Sequence, residues 1–246
     1  MGPLFFQNSL LTRPAIFRQS LNPPMNKHNT PAFTLIELLV VISIIAVLAA
    51  LAVPALTQAL TKGQMTGTMN NARQLYLAGF QMATDGAANS NPAYSWPGDD
   101  PAVTSLEAYC NKLVQNDYLK PGDIQKILNA PGASCNVTTV PGSPTSVTLT
   151  GRSALKVYKV KEVDASNTIF SVSSNYAYNA ALDVTKIPYG DKGFVVMRRG
   201  GDAGVYRKNE ATQSGWNNDL NRFASAIGRL PGDSTDDAAT ALTNPQ

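Results

Sequence analysis

The stretch PAFTLIELLVVISIIAVLAALAVPAL, residues 31–56, decides how the rest of the chain is read. Between positions 33 and 56 it holds one ionisable side chain, Glu37, and two other polar ones, Thr34 and Ser43. Such a run of α-helix rises about 36 Å, more than the roughly 30 Å hydrocarbon core of a bilayer. Length and composition predict a membrane-crossing helix. Glu37 sits awkwardly in it, because a carboxylate well inside a bilayer costs about 3 kcal/mol on insertion scales. Either it reaches back to the headgroup level from its place near the helix end, or the helix spends its working life packed against protein rather than lipid.

Upstream lie Arg13, Arg18, Lys27 and His28, and no acid occurs in positions 1–32. A positive flank of this kind stays in the cytoplasm, which places the remainder of the chain outside the membrane. A secretory signal peptide fits badly: its apolar region is shorter and ends in a small-residue cleavage site before a polar mature start. A plain signal anchor stays open. In that case the chain is a single-span, membrane-anchored extracytoplasmic binding protein or enzyme.

Residue order within the stretch carries more than hydropathy does. The segment FTLIELLVVISIIAVLAALAVPAL, preceded by Ala32, resembles the N-terminus of type IV pilins and type II secretion pseudopilins. The resemblance implies that a prepilin peptidase cuts between Ala32 and Phe33 and N-methylates the new amine of Phe33. Thr34 then becomes the second mature residue, Glu37 the characteristic glutamate, and Pro54 the helix-kinking proline. The residue before the cut, usually glycine in that family, is Ala32 here. The family's mode of action implies subunits that leave the inner membrane through an assembly platform and polymerise through this helix into a pilus or pseudopilus. Such filaments serve protein secretion, adhesion or DNA uptake. Glu37, Thr34 and Pro54 are then assembly residues, with Glu37 facing the Phe33 amine of a neighbouring subunit. A buried ion pair of that kind is near break-even in stability and sets register instead. The implied location is single-pass in the inner membrane, N-terminus cytoplasmic and head periplasmic or extracellular, before transfer to the filament. The leader would be residues 1–32, or the short MNKHNTPA if Met25 is the physiological start, as the family's short leaders favour. The LNPP run at 21–24 breaks any helix ahead of it.

Composition limits the remaining functions. The 20 Lys and Arg against 17 Asp and Glu give +3, and the excess is Arg13, Arg18 and Lys27 of the leader. The mature chain is neutral, and its charge offers nothing to nucleic acid. The only histidine, His28, also precedes the cut. Histidine bases, histidine metal ligands and Ser-His-Asp triads are thereby excluded from the mature chain, and no enzyme is expected.

After Pro54 the helix is expected to continue as an amphipathic half over 57–86. Met65, Met69, Ala72, Tyr76, Gly79 or Phe80, and Ala83 form one stripe, and the Asp-Gly at 85–86 stops it. Residues 87–246 read as an α+β head. A turn-rich loop at 89–101 leads to a short helix over 104–116 and a second over about 123–129. SVTLTG, ALKVYKV, TIFSV, NYAYN and GFVVMRR follow as candidate strands of an antiparallel sheet, and 232–246 reads as a loose tail. The fold class is α+β and pilin-like, a long N-terminal helix packed on a C-terminal sheet.

Other chemistry is sparse. Cys110 and Cys135 are the only cysteines and would lie where disulfides persist, so a bridge and a buried thiol at Cys110 are both open. Asp99, Asp100, Asp233, Asp236 and Asp237 offer the oxygen ligands that Ca²⁺ takes, and some pseudopilins hold calcium in a C-terminal loop. No spacing here resembles an EF-hand, and solvated acidic loops are the commoner case, so no cofactor is expected. The NVT at 136–138 matches a glycosylation sequon by chance in such a chain, and RRGG at 198–201 reads as a solvated turn.

Overall fold

The computed structural model describes residues 33–245. The leader, the Met25 start and Ala32 lie outside the described residues. The chain divides into two compact units, residues 1–49 and 50–246. In the first, the described residues open the helix α1 (Leu35–Ala88), and every side chain from 33 to 49 is exposed.

The second unit holds the rest of α1 and the head. Pro54 lies inside the helix, where its missing N–H leaves the carbonyl of Ala50 without the usual partner, yet the helix runs on. Burial begins at Met65 and recurs at Thr68, Ala72, Leu75, Tyr76, Gly79, Met82, Ala83 and Gly86. These three- and four-residue steps make one face of a helix. Of the two residues offered at one step of the stripe, Gly79 faces the core. Phe80 is 47% exposed and stacks on Tyr76 with ring centroids 5.8 Å apart. Asp-Gly at 85–86 does not stop the helix, which continues to Ala88. Gly86 is there because the carbonyl of Tyr94 occupies the place a Cβ would take. The end comes at Ser90, whose φ is +52°.

In the head, α2 (Leu106–Gln115) starts at Ser105, whose hydroxyl accepts from Ala108 N at 3.1 Å. Helix α3 (Pro121–Ile127) begins on a proline whose absent N–H costs nothing at that position. A hairpin of β1 (Cys135–Val140) and β2 (Ser146–Gly151) pairs antiparallel from Cys135 opposite Gly151 to Val140 opposite Ser146. Asn111 of α2 clasps it, accepting from Val147 N at 2.6 Å and donating to Val147 O at 2.9 Å. The main sheet is an antiparallel meander of β3 (Leu155–Val157), β4 (Ile169–Ser173), β5 (Phe194–Arg198) and β6 (Ala203–Tyr206), in chain order. Every residue of β4 and all but Arg198 of β5 are buried, so the sheet is covered on both faces. Toward α1, Phe170 meets Tyr76 edge-on at 5.6 Å, and Val195 clusters with Met65 and Tyr189. On the other face Phe194 stacks on Tyr176 at 4.0 Å. Polar ties fix the helix to the head. Tyr76 Oη donates to Arg199 O at 2.7 Å, Thr68 and Tyr189 share a hydroxyl bond of 2.6 Å, and Tyr189 Oη donates to Gln64 O at 3.1 Å. The layout is α+β and pilin-like: a long N-terminal helix packed on antiparallel sheet.

Two further expectations need correction. NYAYN at 175–179 is a turn: Asn175 Nδ2 donates to Gly190 O and Gly193 O, and Asn179 takes a φ of +53°. Loop packing buries Tyr176 and half-buries Tyr178, which imitates strand alternation. Strands β1, CNVTTV, and β6, AGVY, lie outside the five candidate segments; in β6 two small residues in four give no periodic signal. The tail is docked, not loose. It holds α5 (Asp237–Thr240), the buried Leu242, and backbone bridges from Ala241 to Tyr158 and from Thr243 to Ser105.

Candidate assembly site at the N-terminal helix

Helix α1 needs its first N–H groups satisfied, and Thr34 stands at the position that does so. Its Oγ1 accepts from Glu37 N at 3.2 Å, while its own N and Oγ1 donate to Glu37 Oε2 at 2.8 and 2.7 Å. This reciprocal pair is a capping box, with Thr34 as cap and Glu37 three residues on. Its signal in the sequence is Thr-x-x-Glu ahead of an apolar run. The box explains half of the glutamate. One carboxylate oxygen is spent on the helix end, and the negative charge lies at the positive pole of the helix dipole. Among the described residues, Oε1 has no hydrogen-bond partner.

Beyond the cap the helix presents a bare apolar surface. Phe33 is 79% exposed, Leu35 87% and Leu51 73%, and no side chain from 33 to 60 is buried. The few hydroxyls on this stretch turn inward: Ser43 donates to Leu39 O at 2.8 Å and Thr57 to Val53 O at 2.9 Å. Such a helix is long and apolar enough to cross a membrane, and it offers its whole circumference to lipid or to neighbouring helices.

The head's candidate groups do not gather into a site. Asp99 accepts from Glu162 N at 2.8 Å. Asp100 pairs with Lys112 at 2.6 Å, and that bond, against a smaller burial cost, holds its carboxyl below the usual range. Asp233 pairs with Arg229 at 3.2 Å, and Asp236 caps α5 by accepting from Ala239 N at 3.0 Å. Asp237 takes Lys156 Nζ at 2.5 Å, the hydroxyl of Tyr158, and Tyr178 N at 3.0 Å. Among the described residues no three His, Cys, Asp or Glu side chains converge as a metal ion would require. Cys110 in α2 and Cys135 opening β1 are free thiols buried in one apolar cluster, and burial raises both above the ordinary thiol value.

Comparison with known proteins bears on the N-terminal helix alone. Residues 27–53 match the family described as the prokaryotic N-terminal methylation motif. No curated protein and no solved structure matches the chain. The matched residues take in Ala32, Phe33, the Thr34–Glu37 box and the first part of the exposed helix. The chain carries, at residues 27–53, the prepilin-type signature of type IV pilins and pseudopilins.

Proposed function

We propose that this chain is a pilin or pseudopilin subunit that a prepilin peptidase cuts between Ala32 and Phe33 and methylates on the Phe33 amine. The observation that carries the reading is the coincidence, within residues 27–53, of the methylation motif with a helix whose every side chain from 33 is exposed. A surface of that size has two solvents available to it, lipid before assembly and other copies of the same helix after it. The subunit waits in the inner membrane with its N-terminus in the cytoplasm and its head outside. An assembly platform then transfers it into a filament with its neighbours. No substrate is turned over, and the work is mechanical.

Glu37 has a stated task in each environment. In lipid, the Thr34 box satisfies one oxygen and lowers the cost of holding a carboxylate near the helix start. In the filament, the other oxygen receives the amine that cleavage creates on Phe33 of a neighbour. Two substitutions separate capping from charge. Glu37→Gln keeps a box-competent side chain and loses the charge, whereas Glu37→Leu loses both. Both variants should insert and be cut, and both should be depleted from sheared filaments or fail to support secretion. If Glu37→Gln assembles as wild type does, the intersubunit ion pair is wrong and the glutamate serves the cap alone.

A further inference from the structure

A groove of about 1300 Å³ runs where α1 leaves the head. One wall is α1 itself, with Thr57, Gln58, Thr61 and Lys62 above an apolar floor that includes Met65 and Leu182. The facing wall is the edge strand β6 and the turn after it, carrying Arg207 and Lys208, with Lys192 beside them. Four cations therefore face one cleft. Lys208 is paired with Asp191 at 2.6 Å, and the single acid of the lining, Glu210, accepts from Arg207 N at 2.6 Å. Among the described residues Lys62, Lys192 and Arg207 have no ion-pair partner, although the mature chain as a whole is neutral.

The position of the groove along α1 says what these charges are for. Its helical wall starts at Thr57, the residue after Leu56, where the lipid-length apolar run ends. At 1.5 Å per residue, Lys62 stands about 9 Å beyond Leu56. The headgroup layer on each side of a bilayer is about 5–7 Å thick, and a lysine stem reaches back into it. Lys62 thus stands at headgroup height in a cleft that gathers three unmatched cations, with the apolar floor at Met65 one turn farther from the membrane. We propose that, while the subunit resides in the membrane, this groove binds the headgroup of an anionic phospholipid, its phosphodiester set between Lys62, Lys192 and Arg207. The lipid seats the head on the membrane surface and must be released when the subunit is drawn into a filament. The inference rests on the membrane reading of residues 33–56 and adds the ligand.

Full-length protein reconstituted in nanodiscs tests it. One set of discs is phosphatidylcholine alone and the other contains phosphatidylglycerol, and hydrogen exchange is followed over residues 203–212. Each cation near an anionic surface contributes about fivefold in apparent affinity. Phosphatidylglycerol should slow exchange in this segment by about fivefold or more, and high salt should reverse the effect. Glycerol phosphate free in solution should not reproduce it. The combined variant Lys62→Gln, Lys192→Gln, Arg207→Gln should insert normally and lose the response. Wild-type exchange that is the same in both discs, with the chain resistant to carbonate extraction, overturns the groove and leaves the membrane reading intact. Extraction of the chain by carbonate overturns both. Protection that follows subunit density instead of lipid charge assigns the groove to a second copy, and protection by free glycerol phosphate makes it a plain anion site; either overturns the lipid proposal.

Discussion

Asp237→Ala measures how far the C-terminal segment is part of the head. Asp237 is the common acceptor of Lys156, Tyr158 and the backbone N–H of Tyr178, and these side chains sit largely out of water, Lys156 at 14% and Asp237 at 20% exposure. Removing the carboxylate leaves a buried ammonium with only the carbonyl of Tyr176, 2.8 Å away. Breaking one side of a buried pair costs about 3–5 kcal/mol, and the residual solvent contact here puts the expectation at the lower end, about 3 kcal/mol. For a domain of this size that is a drop of roughly 6–12 °C in melting temperature. The assay is urea and thermal unfolding of residues 58–246, which lack the apolar run and should be soluble and cooperative. Burial lowers the Lys156 ammonium below its ordinary value, and Asp237 works against that lowering. Without Asp237 the folded value falls further. The deficit is then full below the lowered value and narrows as pH rises from there toward the ordinary 10.5, because a neutral amine carries no desolvation cost. Adding Lys156→Met should restore most of the loss. A change within about 0.5 kcal/mol, or no recovery with Lys156→Met, would refute the idea that this pair clasps the tail to the sheet.

Two further substitutions and one titration extend the test. Gly79→Ala should cost about 1–3 kcal/mol in the same fragment, since its Cβ falls on the buried hydroxyl of Tyr109; adding Tyr109→Phe should relieve it, and an unaltered unfolding midpoint would remove the close approach of α1 and α2 from the account. Tyr109→Phe alone should be neutral or stabilising, because the hydroxyl has no partner among the described residues, and a loss above about 1 kcal/mol would show that it has one. Burial raises the phenols of Tyr109, Tyr158 and Tyr176, so the stability they contribute is present below their ordinary value of 10 and is lost as pH climbs above it. Urea midpoints that hold steady or rise between pH 9 and 11 would contradict that.

The parts of this fold that sequence discloses are those with a long period. The apolar run, the stripe from Met65 to Ala83 and the short helix around Leu106 repeat over many residues, and their faces match the burial found. What escaped depends on single contacts between distant segments. Gly86 reads as a helix stop and is a packing glycine, because only the folded loop brings Tyr94 against it. The tail looks disordered by composition, yet Asp237 reaches a lysine and a tyrosine of β3 and its flank, far away in sequence. At the N-terminal site, residue order alone pointed to Glu37 and Phe33. The capping box was equally local and could have been read, whereas the basic groove could not, since Lys62, Lys192 and Arg207 meet only through the fold.

Processing at Ala32–Phe33 is read off the N-terminus of the protein recovered from cells that contain a prepilin peptidase. N-terminal sequencing with intact mass should give a chain that begins at Phe33 and carries one methyl group on its amine. Replacing Ala32 with leucine should leave the precursor uncut, while Ala32→Gly is cut at least as well as wild type. A wild-type chain that still begins upstream, with the Ala32–Phe33 bond intact in the presence of the peptidase, would contradict the account and return the chain to a plain membrane-anchored protein.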